Sequence, residues 1–266
     1  MILDIDDPSV ARWSGRPYSI ASAAVKVLLS TNTPRRAAAG GELPRRGVGA
    51  TRETGMIDLY TWATPNGRKA SIMLEEIGLP YVVHPVNLGR REQFEPEFLA
   101  ISPNAKIPAI VDSDGPGGPL SVFESGAILT YLAEKTGRLL AAKGAARYKA
   151  LEWLAWQVGG LGPMFGQLGF FAVRSREKAP LAIRRFTEEA ERLIDVMERR
   201  LSAAAHLAGD DYSIADIACY PWALTATTYL APALGAFVGK KPEFQRWLAS
   251  VGARPAVERG MAIPKT

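Results

Sequence analysis

The apolar periodicity of this chain changes character once, near residue 145, and that change limits the fold more than any other feature. Before it, strand and helix patterns alternate. IDLYTW (57–62) alternates apolar and polar side chains and is rich in strand-forming types, so it predicts a strand. Pro65 then stands at a suitable first helical position, and residues 71–77 continue the helix until Gly78 ends it. YVVHPV (81–86) predicts a second strand, and the polar residues around 93–97 a short helix. A third strand at 109–112 is entered through Pro108. After the DSDGPGGP turn come LSVFES (120–125), a fourth strand, and GAILTYLAEKTG (126–137), a helix closed by Gly137. Beyond 145 only helical patterns remain, at 145–170, 180–204, 213–229 and 242–252.

The order β-α-β-(α)-β-β-α across 57–137 is that of a thioredoxin-like domain, whose β-α-β unit is expected as a right-handed parallel crossover. The expected fold is therefore α/β plus all-α. A thioredoxin-like domain occupies 56–138 and an all-helical domain 145–260. The third helical pattern opens on a start signal: Ser213 as cap with Asp216 three positions on, a capping box with Asp in place of Glu or Gln. Tyr212 and Ile217 have the spacing of the accompanying hydrophobic staple. These residues are structural.

Bulk properties remove several function classes. A chain of 266 residues can bury a substantial core in one large or two small domains. No apolar run reaches the roughly 18 residues that span a bilayer, which excludes an integral membrane protein. The pI of about 9.3 invites nucleic acid as a partner. However, residues 1–55 carry seven Arg and one Lys against five acids, leaving 24 basic and 22 acidic residues in 56–266. The body is nearly neutral and has no basic stripe interleaved with aromatics, so nucleic acid is excluded. The lone Cys219 precludes an intrachain disulfide and a cysteine metal cluster, and it suits a reducing, cytoplasmic location. His84 and His206 lie far apart and form neither a metal site nor a triad. Residues 1–55 include a Gly/Pro/Arg-rich stretch without apolar periodicity and are expected to be disordered. Acids precede the apolar run SIASAAVKVLLS and no basic segment opens the chain, a poor signal peptide. Met56 is the favoured natural start.

TPNGRK (64–69), FEPEFLAISPNAKIPAIVD (94–112), LSVFESGAILTYLAEKTG (120–137) and WQVGGLGPMFGQ (156–167), with the capping segment DYSIADIA (211–218), carry a family resemblance over roughly four-fifths of the chain. The body from Met56 onward resembles the cytosolic glutathione transferases. More narrowly it resembles the bacterial nu class, the glutathione-dependent disulfide-bond oxidoreductases related to the yeast nitrogen regulator. The capping segment is specific only to the superfamily, whereas TPNG together with WQVGGLGPM is much narrower.

The resemblance implies roles that the residue types can fill. Pro108 is expected to follow a cis peptide that turns the Ile107 backbone towards glutathione, so that the ligand adds as a strand. Alone, Pro108 reads equally as an ordinary proline before a strand. Glu124 and Ser125 are expected to hold the γ-glutamyl end, the carboxylate taking its ammonium and Ser125 donating to its carboxylate. Ser125 is also a good N-cap, at a helix end that favours anions. Gln93 and Lys106 match contacts to the glycyl end and backbone of the ligand. Arg185 aligns with an arginine that reaches the ligand from a neighbouring subunit, with Arg184 an alternative; both also suit a solvated helix face.

Catalysis falls to Thr64 and Asn66. A free thiol with pKa near 8.5 is mostly protonated at neutral pH, and lowering it needs donors and a positive dipole end. Thr64 offers a hydroxyl, Asn66 an amide, and the helix from Pro65 a dipole; the same residues also read as a plain turn and cap. Tyr60 is a minor candidate for the thiol's donor, because alternation puts it with Trp62 on one face and Leu59 with Thr61 on the other. Cys219, within a helix, is not expected to act as a nucleophile. The expected activity is glutathione-dependent disulfide reduction with a peroxidase side activity and no metal. Its partners are glutathione, a small or protein disulfide, and a second copy of the chain. WLAWQVGGLGPMFGQLGFF (153–171) is expected to line the entrance between the domains. Conjugation of glutathione to electrophiles is the alternative, and a non-catalytic regulator with a transferase fold a third reading.

Overall fold

The computed structural model describes residues 56–265, and the expectations for 1–55 lie outside them. Four strands form one sheet in the order β2-β1-β3-β4: β1 (Ile57–Thr61), β2 (Tyr81–Pro85), β3 (Ala109–Asp112) and β4 (Leu120–Phe123). β1 pairs with β2 in parallel, whereas β1–β3 and β3–β4 are antiparallel. The alternation read in β1 is the observed burial: Ile57, Leu59 and Thr61 are buried, Asp58 and Tyr60 half-buried.

Helix α1 (Pro65–Ile77) starts on Thr64, whose side chain caps it, and ends on Gly78 at φ +72°, a left-handed conformation that glycine adopts without steric cost. α2 (Pro96–Ile101) follows two short 3₁₀ turns. α3 (Ser125–Thr136) begins one residue earlier than its sequence pattern, so Ser125 is the first helical residue and Glu124 the cap position. This corrects the capping role expected of Ser125, since no side chain caps α3.

All remaining described elements are helical. α4 (Ala145–Trp156) passes through a π-helical turn at Gln157–Leu161 into α5 (Gly162–Gly169), and a second such turn follows at Phe170–Arg174. Then come α6 (Pro180–Leu201), α7 (Ile214–Ala223), α8 (Ala231–Val238), α9 (Pro242–Gly252) and α10 (Pro255–Met261). α7 ends well short of the pattern at 213–229, passing into a 3₁₀ turn at Leu224–Thr227. It starts as expected: the Ser213 hydroxyl accepts from Ala215 N at 3.2 Å, and the Asp216 carboxylate accepts from Ser213 N at 3.1 Å. Asp216 also accepts from the indole of Trp247 at 2.8 Å, tying α7 to α9.

One hydrophobic cluster joins the sheet to the helices. Ile57, Leu59 and Ile110 from the strands meet Ile72 and Leu74 of α1, Leu132 of α3, Phe165 of α5, Ile217 of α7 and Trp247 of α9. Each such side chain, fully buried, contributes about 1.5–3 kcal/mol of transfer free energy. α1 is held between the sheet and α10, where Ser71 Oγ donates to Gly260 O at 2.7 Å.

Candidate active site

The strand register sets the site. β3 runs antiparallel to both β1 and β4, with Ala109 opposite Tyr60 and Phe123. The C-terminal ends of β1 and β4 therefore share one sheet edge with the N-terminal end of β3. That edge gathers three corners: Thr64–Asn66 after β1, Lys106–Pro108 before β3, and Glu124–Ser125 after β4. The Ile107–Pro108 peptide is cis, as expected. Parallel pairing brings the end of β2, and the turn Glu92–Phe94 that carries Gln93, to the same edge.

At the first corner two donors are left free by the bonds around them. Thr64 Oγ1 accepts from Gly67 N at 3.1 Å. A hydroxyl has one proton to give, and this bond does not use it. Asn66 Oδ1 accepts from Trp222 Nε1 at 2.8 Å. Indole can only donate, so the bond identifies the amide oxygen and leaves the Asn66 NH₂ to donate elsewhere.

At the third corner Glu124 stands at φ +69°, sparsely populated for a residue with a Cβ. Asn104 Nδ2 donates to its carboxylate at 3.2 Å. Beneath it lies Lys69 of α1, only 2% exposed. Its ammonium donates to Gln157 Oε1 at 2.5 Å and to Ser125 Oγ at 3.3 Å. Burial pushes Lys69 down to about 7, against the opposing pull of Cys219 and Glu124. Burial also drives the Cys219 thiol well above its ordinary range, so Cys219 stays protonated and Glu124 is the anion that bears on Lys69.

A cavity of about 560 Å³ opens over this cluster, lined by Asn66, Lys69, Glu124, Ser125 and Gln157 together with the aromatic Phe170, Phe171 and Trp222. Thr64 lies instead in an adjoining cavity of about 350 Å³ with Pro65, Arg68, Phe165 and Leu230. Gly166, Arg174 and Trp222 belong to both. Of the 153–171 segment, Gln157, Val158, Phe170 and Phe171 line the first cavity and Phe165 touches the second, while Leu154, Leu161 and Leu168 are core.

Other candidates stand apart. Gln93, Lys106, Ile107 and Pro108 sit at the shared edge but do not line either cavity. Arg185, on α6, is largely exposed and faces Glu189 at 3.9 Å, and Arg184 lines a separate surface cavity. Tyr60 stacks on His84 with ring centroids 4.6 Å apart and lines neither cavity, and burial with Asp58 pushes its phenol up. Cys219 is fully buried in α7. Among the described residues no cluster of His, Cys, Asp and Glu could hold a metal, and no helix is long and apolar enough to cross a membrane.

Lys69, Trp222 and Arg174 are site residues that sequence reasoning did not single out. Lys69 had a signal: it shares a helix face with Ile72 and Met73, at i+3 and i+4, where a lysine interrupts an apolar stripe. Trp222 had none, since its role comes from a contact 156 positions away.

Two family models match in sequence order, the glutathione S-transferase N-terminal domain over residues 63–135 and the C-terminal domain over 161–255. Disulfide-bond oxidoreductase YfcG of Escherichia coli is 49% identical over 213 residues, covering 79% of this chain and 95% of its own. A glutathione transferase of Burkholderia graminis, crystallised with two glutathione molecules per subunit, superposes with TM-score 0.76 at 49% identity, covering 79% of this chain and 89% of that one. One from Pseudomonas putida, with a glutathione disulfide bound per subunit, superposes equally well at 46% identity over 81% and 94% of the two chains. With both halves matched and nearly the full length of a relative aligned, this chain belongs to the glutathione S-transferase family.

Proposed function

We propose that this protein reduces disulfides with thiols supplied by bound glutathione. The observation that carries the reading is the cysteine-free corner of α1, where the Thr64 hydroxyl and the Asn66 amide retain donor hydrogens beside a helix N-terminus. Donors and a positive dipole end favour a thiolate over a thiol. The name of the Escherichia coli relative, and the glutathione in the neighbouring structures, point the same way.

The ligand's γ-glutamyl end rests on Glu124 and Ser125, its peptide on the Ile107 backbone beside cis-Pro108, and its glycyl end near Gln93 and Lys106. Arg185 approaches from the second subunit of a homodimer, in the cytoplasm. The bound thiolate attacks one sulfur of the substrate disulfide, forming a mixed disulfide and releasing the other sulfur as a thiolate that takes up a proton. A second glutathione thiolate attacks the glutathione sulfur of the mixed disulfide and releases the second substrate thiol. The balance is two glutathiones oxidised to one glutathione disulfide, and one substrate disulfide reduced to two thiols. The same thiolate, attacking a hydroperoxide, breaks its O–O bond to give glutathione sulfenic acid and an alcohol. A second glutathione converts the sulfenic acid to glutathione disulfide and water, a secondary peroxidase activity.

Conjugation is the second reading, favoured by the apolar walls of the cavity beside Thr64, which include Pro65, Phe165 and Leu230. Turnover of a small dialkyl disulfide is compared with that of a chlorinated nitroaromatic at equal glutathione. Faster disulfide turnover is expected, and dominant conjugation overturns the assignment. Failure to bind either reduced or oxidised glutathione in calorimetry points to a non-catalytic regulator instead.

A further inference from the structure

Lys69 has no part in the thiol chemistry, yet it is the most deeply buried charge-bearing group of the site. A lysine in that position is costly unless something compensates its charge. Its two described partners, Ser125 Oγ and Gln157 Oε1, are neutral. Gln157 is 1% exposed, and its Nε2, which is also buried, has no hydrogen-bond partner among the described residues. Glu124 is the carboxylate whose charge bears on Lys69, and it is itself engaged by Asn104 and exposed. The cavity floor therefore holds a cation with no anion bonded to it among the described residues, below the first residue of α3, whose N-terminal dipole end is also positive.

We propose that Lys69 is a positioning residue for the α-carboxylate of the γ-glutamyl group, giving that carboxylate a buried counter-charge and holding the Ser125 hydroxyl so that its proton points to the ligand. The proposal rests on the reading that Glu124 and Ser125 receive the γ-glutamyl end. Because Ser125 Oγ accepts from Lys69, its single hydrogen is left to donate. The same head group offers an ammonium for Glu124. Lysine below and glutamate at the rim thus match the two charges of an α-amino acid, and the site discriminates in favour of ligands that carry both.

A proton linkage follows. In the free protein Lys69 titrates near 7, held down by burial, with Glu124 and the protonated Cys219 of α7 the other titratable groups that bear on it. An arriving carboxylate favours the charged form, so binding draws a proton from solvent onto Lys69 Nζ. Affinity therefore falls as pH rises above about 7, because the free site has then lost a proton that the complex retains.

The test uses S-methylglutathione, whose blocked sulfur releases no proton, and its analogue lacking only the γ-glutamyl α-carboxylate. Calorimetry at about pH 7.5 in buffers of different ionisation enthalpy is expected to show proton uptake with the first ligand and none with the second. Lys69→Met, similar in length and uncharged, is expected to bind S-methylglutathione roughly tenfold to a hundredfold more weakly, the scale of a charge-assisted hydrogen bond. The same variant should lose the pH dependence and bind the decarboxylated analogue as the parent does. Equal weakening for both ligands, or no proton uptake by the unaltered protein, overturns the proposal. If Lys69→Met does not fold, the proton measurement on the unaltered protein decides alone. Absence of any S-methylglutathione binding by the unaltered protein overturns the reading of the site itself, and this proposal with it.

Discussion

The Thr64 hydroxyl caps α1 with a lone pair and keeps its proton, so one side chain can serve the helix and the proposed thiol chemistry together. The two contributions separate by substitution. Thr64→Ala should cost about 1 kcal/mol of stability through the lost cap. It should lower disulfide turnover roughly tenfold or more, since a donor to the reacting sulfur is gone, while glutathione affinity changes far less. Thr64→Ser should restore both; an unchanged rate in Thr64→Ala would remove Thr64 from the mechanism. That Thr64, Asn66, Glu124 and Ser125 stand at helix starts was legible, because motif and local geometry coincide there. Lys69 and Trp222 were not, because their meaning lies in partners distant in sequence: Ser125, Gln157 and Asn66. Ser125 was half legible, its place at the helix start foreseen and its bonding partner missed.

Among elements, α5 shows how little space surrounds the side chains bonded to Asn66 and Lys69. A Cβ on Gly162 would lie 2.6 Å from Gln157 Nε2 and 3.2 Å from Trp222 Nε1. Gly162→Ala should therefore displace the side chains that orient Lys69 and Asn66, at about 1–3 kcal/mol of stability for the overpacking. Disulfide turnover should drop with it. Gly159→Ala is the control, since its Cβ meets nothing within 4 Å. Equal activity in both variants would mean that Gln157 and Trp222 do not govern the site. Strands and long helices read correctly from period and caps, as with Gly78 after α1 and Ser213 before α7. α8 and α10 went unread for different reasons. The sequence APALGAFV is apolar on every side and gives no helical stripe, and α10 is seven residues long, too short for a period to register.

At the scale of the molecule, the sheet half and the helical half share the larger of two hydrophobic clusters, with Ile72 and Leu74 of α1 in it beside Ile217 and Trp247. Val86, Phe98, Ile107 and Ala109 form a small second cluster within the sheet half. Backbone packing is as close as side-chain packing: a Cβ on Gly260 of α10 would fall 2.5 Å from Ile72 Cα. Residues 56–265 are therefore expected to unfold in urea as one transition, with far-ultraviolet circular dichroism and tryptophan fluorescence coinciding. Two separated transitions would show that the halves are independent folding units. The fold class was legible at this scale because each half has its own periodicity. The shared core was not, because an apolar residue does not announce which half it will face. The bond from Trp222 to Asn66 has a consequence for recombination. A chimera joining the first half of this chain to the second half of a relative inherits a correctly oriented amide only if position 222 still brings an indole to it. For such hybrids the two positions form a single heritable unit, although 156 residues lie between them.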